Sequence, residues 1–332
     1  MAFLSQNLRY LVAEVEGTPG TMETPAAADF DVRIYNPEFT ITVDQDDEAA
    51  KDATGDHGEY ESIPGKSYGT INFSVKLNWA GAVGTDPAWW KFAAGCGAKQ
   101  KAYGATGVAI TPDQEYDTKT LTIWVYDKER GGATPVTTIY KFSGCMGNMV
   151  IGAEATGSPW VGQFSFTGKL EDIVDGTALA LTGPDTALPE KFLSSTYTWN
   201  SETQYISSWS FDVGNEIVPM YDQSEATGIG YYSIASRRPR FMCNPLAQKQ
   251  ATEDVLDDLL SVNAGPISLT SEHFTLKAVD AQLLSSGIAN REGFVSWDRV
   301  YKCLRNFDGS DVIDSDLTAE QTWELLVGAR AA

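Results

Sequence analysis

Seven stretches of this chain alternate apolar and polar residues with a period of two. That pattern limits the fold more than any other feature. The stretches are FTITV (39–43), TINFSVKLNW (70–79), TLTIWVYD (120–127), TTIYKFSG (137–144), WVGQFSFTGKL (160–170), SSWSFDVG (207–214) and HFTLKAV (273–279). A period of two sends alternate side chains to opposite faces, so one face meets a core and the other meets solvent or a partner. In 70–79, Ile71, Phe73, Val75 and Leu77 share one face, and Asn72, Ser74, Lys76 and Asn78 share the other. Gly-rich joints such as RGGATP, GATG and GTALALTGPDTALP separate the runs. The expected class is mainly β, with antiparallel sheets and few helices.

Three helix signals stand out. DPAWWKFAAGCG (86–97) offers Asp86 as an N-cap and Pro87 at the first helical position. ATEDVLDDLLSVNAG (251–265) offers Thr252 as N-cap, acids in the first turn and Gly265 beyond the end. DLTAEQTWELLVGA (316–329) has the cap Thr318, then acids, then Trp323, Leu325 and Leu326 on an inner side.

The order of these signals repeats. Strand 39–43, a long polar loop, strand 70–79 and helix 87–95 are matched by strand 208–213, the loop NEIVPMYDQSEATGIG, a strand around YYSIASRRPRFMCN and helix 252–261. Residues 140–170 then resemble 274–304 in strand-loop-strand pattern. A repeat near half of 332 residues, 332/2 = 166, predicts two tandem β-sandwich domains. Their expected bounds are 1–180 and 181–332, with the joint in the Gly/Pro/Ser-rich 176–195.

Composition removes several function classes. Forty-five acidic against 24 basic residues give a net charge of −21, which disfavours binding of nucleic acid to a basic face. No apolar run approaches the roughly 20 residues that cross a bilayer, and Glu14 and Glu16 break up the N-terminal apolar pieces, so a signal peptide and membrane partners are not expected. Four separated cysteines without a CxxC read as buried free thiols. Two histidines leave little for a zinc site or a His-based triad. No GxxxxGK[ST] or GxSxG occurs, and an EF-hand counted from Asp44 fails at Ala49 and Gly55. No cofactor, metal or catalytic activity is expected. A hydrolase using an Asp/Glu pair has nothing positive to support it.

The densest charge lies in DQDDEAAKDATGDHGEYE, where Asp44, Asp46, Asp47, Glu48, Asp52, Asp56, Glu59 and Glu61 stand against one lysine. A connection this long is uncommon without a role. SRRPR supplies the one basic cluster, Arg237, Arg238 and Arg240, suited either to a partner's carboxylates or to a solvated strand face. An acidic loop of one copy against these arginines of another is one arrangement that joins the two.

Taken in order, the segments resemble the major tail tube proteins of long-tailed bacteriophages. VAEVEGTPGTMETPAAADFDVRIYNPEFTI is similar to their opening strand, Glu-x-x-x-Gly-Thr turn and first tube strand, with Glu14 and Gly17–Thr18 preferred over Glu16 and Gly20–Thr21. DPAWWKFAAGCG is similar to their short helix, YKFSGCMGNMVI…WVGQFSFTGKL to their next strand pair, and SWSFDVGNEIVPM to a later signature. The resemblance covers most of 10–245 and leaves 305–332 unplaced. It implies sandwiches whose inner sheets join between subunits into a β-barrel, in stacked rings through which double-stranded DNA passes without specific binding. Partners would be the chain itself and other tail proteins such as tape measure, tail tip and terminator. The place would be the virion tail, assembled in the host cytoplasm. Two domains per chain imply a trimeric pseudo-sixfold ring, with a hexamer as the alternative. Asp44–Glu61 would make inter-ring or inter-subunit contacts. The polar faces Thr40, Thr42, Asn72, Ser74, Lys76, Asn78, Ser210 and Asp212 would line a bore of negative potential. A carbohydrate-binding β-sandwich, marked by clustered exposed tryptophans, is the rival reading.

Overall fold

The computed structural model describes residues 3–4, 9–46, 62–79, 86–103, 107–113, 119–130, 136–179, 187–249, 254–261, 263–304 and 322–328. The first half builds β1 (Phe3–Leu4), β2 (Tyr10–Val15), β3 (Ile34–Asp46), β4 (Ile63–Lys76), α1 (Trp90–Gly95), β5 (Ala98–Tyr103), β6 (Gly107–Pro112), β7 (Leu121–Arg130), β8 (Thr137–Ala153) and β9 (Val161–Gly176). The second half builds β10 (Thr196–Trp199), β11 (Glu202–Gln204), β12 (Trp209–Asp212), β13 (Asn215–Tyr221), β14 (Ile229–Arg237), β15 (Arg240–Cys243), α2 (Val255–Leu260), β16 (Ala264–Thr270), β17 (Phe274–Arg291), β18 (Phe294–Leu304) and β19 (Glu324–Gly328). The protein is mainly β, every strand pairing among the described residues is antiparallel, and the strands do not close into a barrel.

The strand order of the first half recurs in the second. Pairing runs β3-β4-β9-β8-β7-β2 in one and β12-β15-β18-β17-β16-β10 in the other. Each run has its helix between the second strand and the strand that follows: α1 after β4, α2 after β15. The expected match of 140–170 to 274–304 falls on the β8–β9 and β17–β18 hairpins. The two runs meet where β8 pairs with β12, Val150–Ala153 against Trp209–Asp212.

Long strands pair with different neighbours along their length. β8 pairs with β7 over Thr137–Cys145 and with β12 over Val150–Ala153, and the register shifts between Ser143 and Met146. β17 carries a matching register shift, between Leu283 and Ser285. An extra residue in one strand of a pair bends it and sharpens its twist. The main apolar core includes residues from Leu11 to Val327 and draws on both sides of the 180/181 joint. Phe73, Phe92, Phe164 and Phe166 pack with centroids 4.8–6.4 Å apart. Trp160 meets Trp209 edge-on at 4.5 Å across the β8–β12 seam. Such pairs add to the burial of 150–250 Å² that each aromatic side chain of this kind brings.

Several local expectations need correction. The helix expected over 316–329 is a strand where it is described. β19 lies between β6 and β17, with Glu324, Leu325, Leu326 and Val327 all buried. A short apolar run buried on both faces carries no periodicity that separates strand from helix. The polar loop expected after strand 208–213 is largely the β13–β14 hairpin. α2 is capped by Asp254, whose side chain accepts from the Asp257 N–H; Thr252, the expected cap, lies outside the described residues. α1 starts at Trp90 without a side-chain cap, and the Asp86 carboxylate accepts instead from the Gln100 amide.

Candidate assembly surface: a concave face and two open edges

The side chains that point away from the core form one continuous polar face across both halves. A lateral row runs Tyr35–Ser74–Gln163–Val150–Asp212–Arg240–Lys302–Gln282, one residue from each of eight neighbouring strands. The adjacent row runs Lys76–Val161–Gly152–Ser210–Met242–Val300–Ser285. The twist of the sheet makes this face concave, and Ser74, Lys76, Gln163, Ser210, Met242 and Asp298 line a cavity of about 950 Å³ on it.

Five lining candidates therefore come together: Asn72, Ser74, Lys76, Ser210 and Asp212. Asn72 pairs with Ser165, which pairs with Asn148, and the Asn148 amide donates to Asp212 Oδ1 at 2.8 Å. Thr40 pairs with Thr70 and Thr42 with Tyr68, so both extend the same face along β3, and both are exposed. Asn78 does not belong to this group. It lies beyond β4 in a bridge to Pro189, and its carbonyl accepts from the Trp89 indole. Among the described residues, charges of both signs lie on this face. Glu38, Glu154, Asp212 and Asp298 stand against Lys76, Arg240 and Lys302 on this face. Arg240 Nη1 is buried without a hydrogen-bond partner among the described residues.

Two edges of the eight-stranded arrangement are open. Among the described residues β3 pairs only with β4. β17 pairs with β16 up to Gln282, and beyond that its β16-side edge has no strand among the described residues. The same edge of β8 is the one that β12 occupies. Ile288 (78 % exposed), Phe294 (69 %) and Val295 (55 %) stand at the β17–β18 tip. Unpaired backbone groups along an edge are a template for another strand.

The acidic segment lies mostly outside the described residues, including Asp47, Glu48, Asp52, Asp56, Glu59 and Glu61. Asp44 and Asp46 fall on β3, and Asp44 stands 3.8 Å from Lys66, an exposed pair worth little by itself. The arginines divide. Arg237 is used inside the chain, donating to the carbonyls of Asp113 (2.6 Å) and Gly97 (2.8 Å), so it does not wait for a partner's carboxylate. Arg240 joins the concave face, and Arg238 is exposed.

Glu16, the less preferred of the two glutamates on sequence grounds, organises this region. The buried Glu16 carboxylate accepts from Gly20 N (2.7 Å), Thr120 Oγ1 (2.5 Å), Thr122 Oγ1 (2.9 Å) and Gly144 N (2.8 Å). The carboxylate that holds the turn at Gly20 is thus that of Glu16. Gly20 has φ +79°, and a Cβ there would sit 2.3 Å from the Gly230 carbonyl. The turn and the β8 bulge are so held beneath the β13–β14 hairpin. That hairpin also reaches Lys169, whose Nζ lies 2.9 Å from Glu171 and 3.3 Å from Glu225. Burial opposes the Lys169 charge, but the two carboxylates outweigh it and hold the pKa above the ordinary lysine value.

Chemistry finds little to work with. Ser271 Oγ donates to Glu190 Oε1 (2.6 Å), and His273 Nδ1 lies 2.9 Å from Glu190 Oε2. Serine and histidine thus both bind the carboxylate, which is not the order that activates a nucleophile. All four cysteines are buried free thiols. Among the described residues no group of three metal-ligating side chains occurs, and no helix is long and apolar enough to cross a membrane. None of the nine tryptophans is exposed. No family model matches the chain, and no curated protein matches it.

Proposed function

We propose that this chain is a structural subunit of a hollow tube of the phage tail-tube type, assembled from copies of itself around a bore that passes double-stranded DNA. One observation carries the reading. Two four-stranded units in the same order are already joined edge to edge at β8–β12, and the outer strands β3 and β17 are left open. A chain that has performed the junction once internally holds the two complementary, non-identical edges that a head-to-tail ring needs. Addition of β3 from one copy to β17 of the next repeats the internal seam, and closure of the ring removes every open edge of the inner sheet. Three chains supply six units, which gives a pseudo-sixfold ring.

The concave polar face becomes the bore. DNA carries about one charge per 1.7 Å of axis, so a basic wall would hold it. A wall that mixes serine, threonine, asparagine and glutamine with valine and methionine, its charges nearly cancelling, gives it little to bind. The acidic segment 44–61 links β3 to β4 in the sequence, and in this reading it makes contacts between copies or between rings. The reading puts the protein in a virion tail beside tape-measure, tip and terminator proteins, without catalysis.

Negative-stain electron microscopy of the purified protein tests this. Rings or tubes with a stain-filled centre are expected, with six-fold modulation from three chains. Compact monomers at all concentrations would overturn it.

A further inference from the structure

We propose that the apolar patch formed by Leu256, Leu259 and Leu260 of α2 with Leu284 of β17 is the seat of the β3–β4 hairpin of a second copy of this chain. The inference rests on the self-assembly reading and adds to it the surface on which neighbours grip each other outside the sheet.

The four leucines are 63, 37, 76 and 44 % exposed, and α2 packs against β17. Of α2, only Val255 is buried. The corresponding place in the first half is covered. There the β13–β14 hairpin lies over the end of α1 and the bulge of β8. Asn215 Nδ2 donates to the carbonyls of Cys96 (2.8 Å) and Gly147 (2.9 Å). Arg237 holds the Gly97 carbonyl, and Ile217, Ile229, Tyr232 and Ile234 gather with Met146, just past the bulge. Leu284 is the extra residue of the matching bulge in β17.

The repeat says what belongs on the second patch. β13–β14 is the hairpin between the first and second inner strands of its half, β12 and β15, and it covers the half whose β8 pairs with β12. β3–β4 is the hairpin made by the first and second inner strands of the other half. When β3 is added to β17 of another copy, its hairpin is carried over α2 and the β17 bulge in the same relation. A group of exposed leucines rimmed by Asp254, Asp257 and Asp258 is the usual anatomy of an interface, with an apolar centre and a polar border.

Two measurements test this. In the first, a benzophenone amino acid replaces Leu260 in a mixture of light and isotopically heavy chains, and cross-linked peptides are identified after irradiation. Heavy–light links from α2 to residues 34–76 are expected. In the second, the double variant Leu256→Glu, Leu260→Glu is followed by sedimentation velocity and circular dichroism. It is expected to fold as the wild type does, while assembling only at concentrations at least about tenfold higher. Links to other segments, or undiminished assembly of a folded double variant, would overturn the seat and leave the tube standing. A wild-type protein that never assembles would remove both.

Discussion

Glu16 is the residue on which most local structure converges. Its carboxylate takes up two backbone N–H groups and two hydroxyls from three separate segments, three of the four bonds buried and that from Gly20 half-buried. Hydrogen bonds to a charged group are worth more than neutral ones, and donors left unmet in the interior are costly. Glu16→Ala is therefore expected to lower unfolding stability by roughly 2–4 kcal/mol in denaturant titration. Gly20→Ala should also destabilise, because its Cβ meets a backbone carbonyl that cannot turn aside. A loss below about 0.5 kcal/mol for Glu16→Ala would show that the cluster is not holding the turn. Nothing in the local sequence separates Glu16 from Glu14. Both sit beside apolar residues in the same strand-like run, and only the partners at Thr120, Thr122 and Gly144 tell them apart.

At the level of elements, periodicity was legible and its failures are instructive. The alternating strands appear as expected because each has one face on the core, as Ile71, Phe73, Val75 and Leu77 do. β19 was misread as a helix because Leu325, Leu326 and Val327 are buried together between β6 and β17, where alternation has no meaning. β19 ties the C-terminal segment to both halves. Leu325→Ala is expected to cost about 2–5 kcal/mol, read from the melting midpoint, because Leu325 is fully buried. Should the variant melt within about 1 °C of the wild type, β19 contributes nothing to the core that it borders. The strands of the β3–β4 hairpin are legible at 39–43 and 70–79, whereas the matching β13–β14 hairpin reads only as a long polar insert, since its polar residues hide the alternation.

For the whole molecule, the buried acids make one common prediction. Burial pushes the Cys303 thiol up from 9.0 to about 12 and raises Cys96 and Cys145 in the same direction. Tyr126, Tyr232 and Tyr301 are raised for the same first cause. The unfolded chain gives up these protons at the ordinary values, while the folded chain keeps them. The native state therefore binds more protons, and stability falls as pH rises. The loss begins near the unfolded thiol value of 9.0 and continues to about 12 for Cys303. Denaturant midpoints compared at neutral pH and above about pH 10 should show it, with up to about 1.4 kcal/mol per pH unit for each such group. A flat profile would mean that these groups titrate as if exposed. The sequence by itself determined the β class, the antiparallel habit and the repeat, because period-two alternation and the order of elements are local or one-dimensional properties. Only the tertiary structure decided that the two halves share one core, that β8 and β12 form the seam, and that β3 and β17 are the open edges. Those are pairings between residues far apart in the chain, chosen by shape and by the need to pair every buried backbone group, and no short stretch of sequence records them.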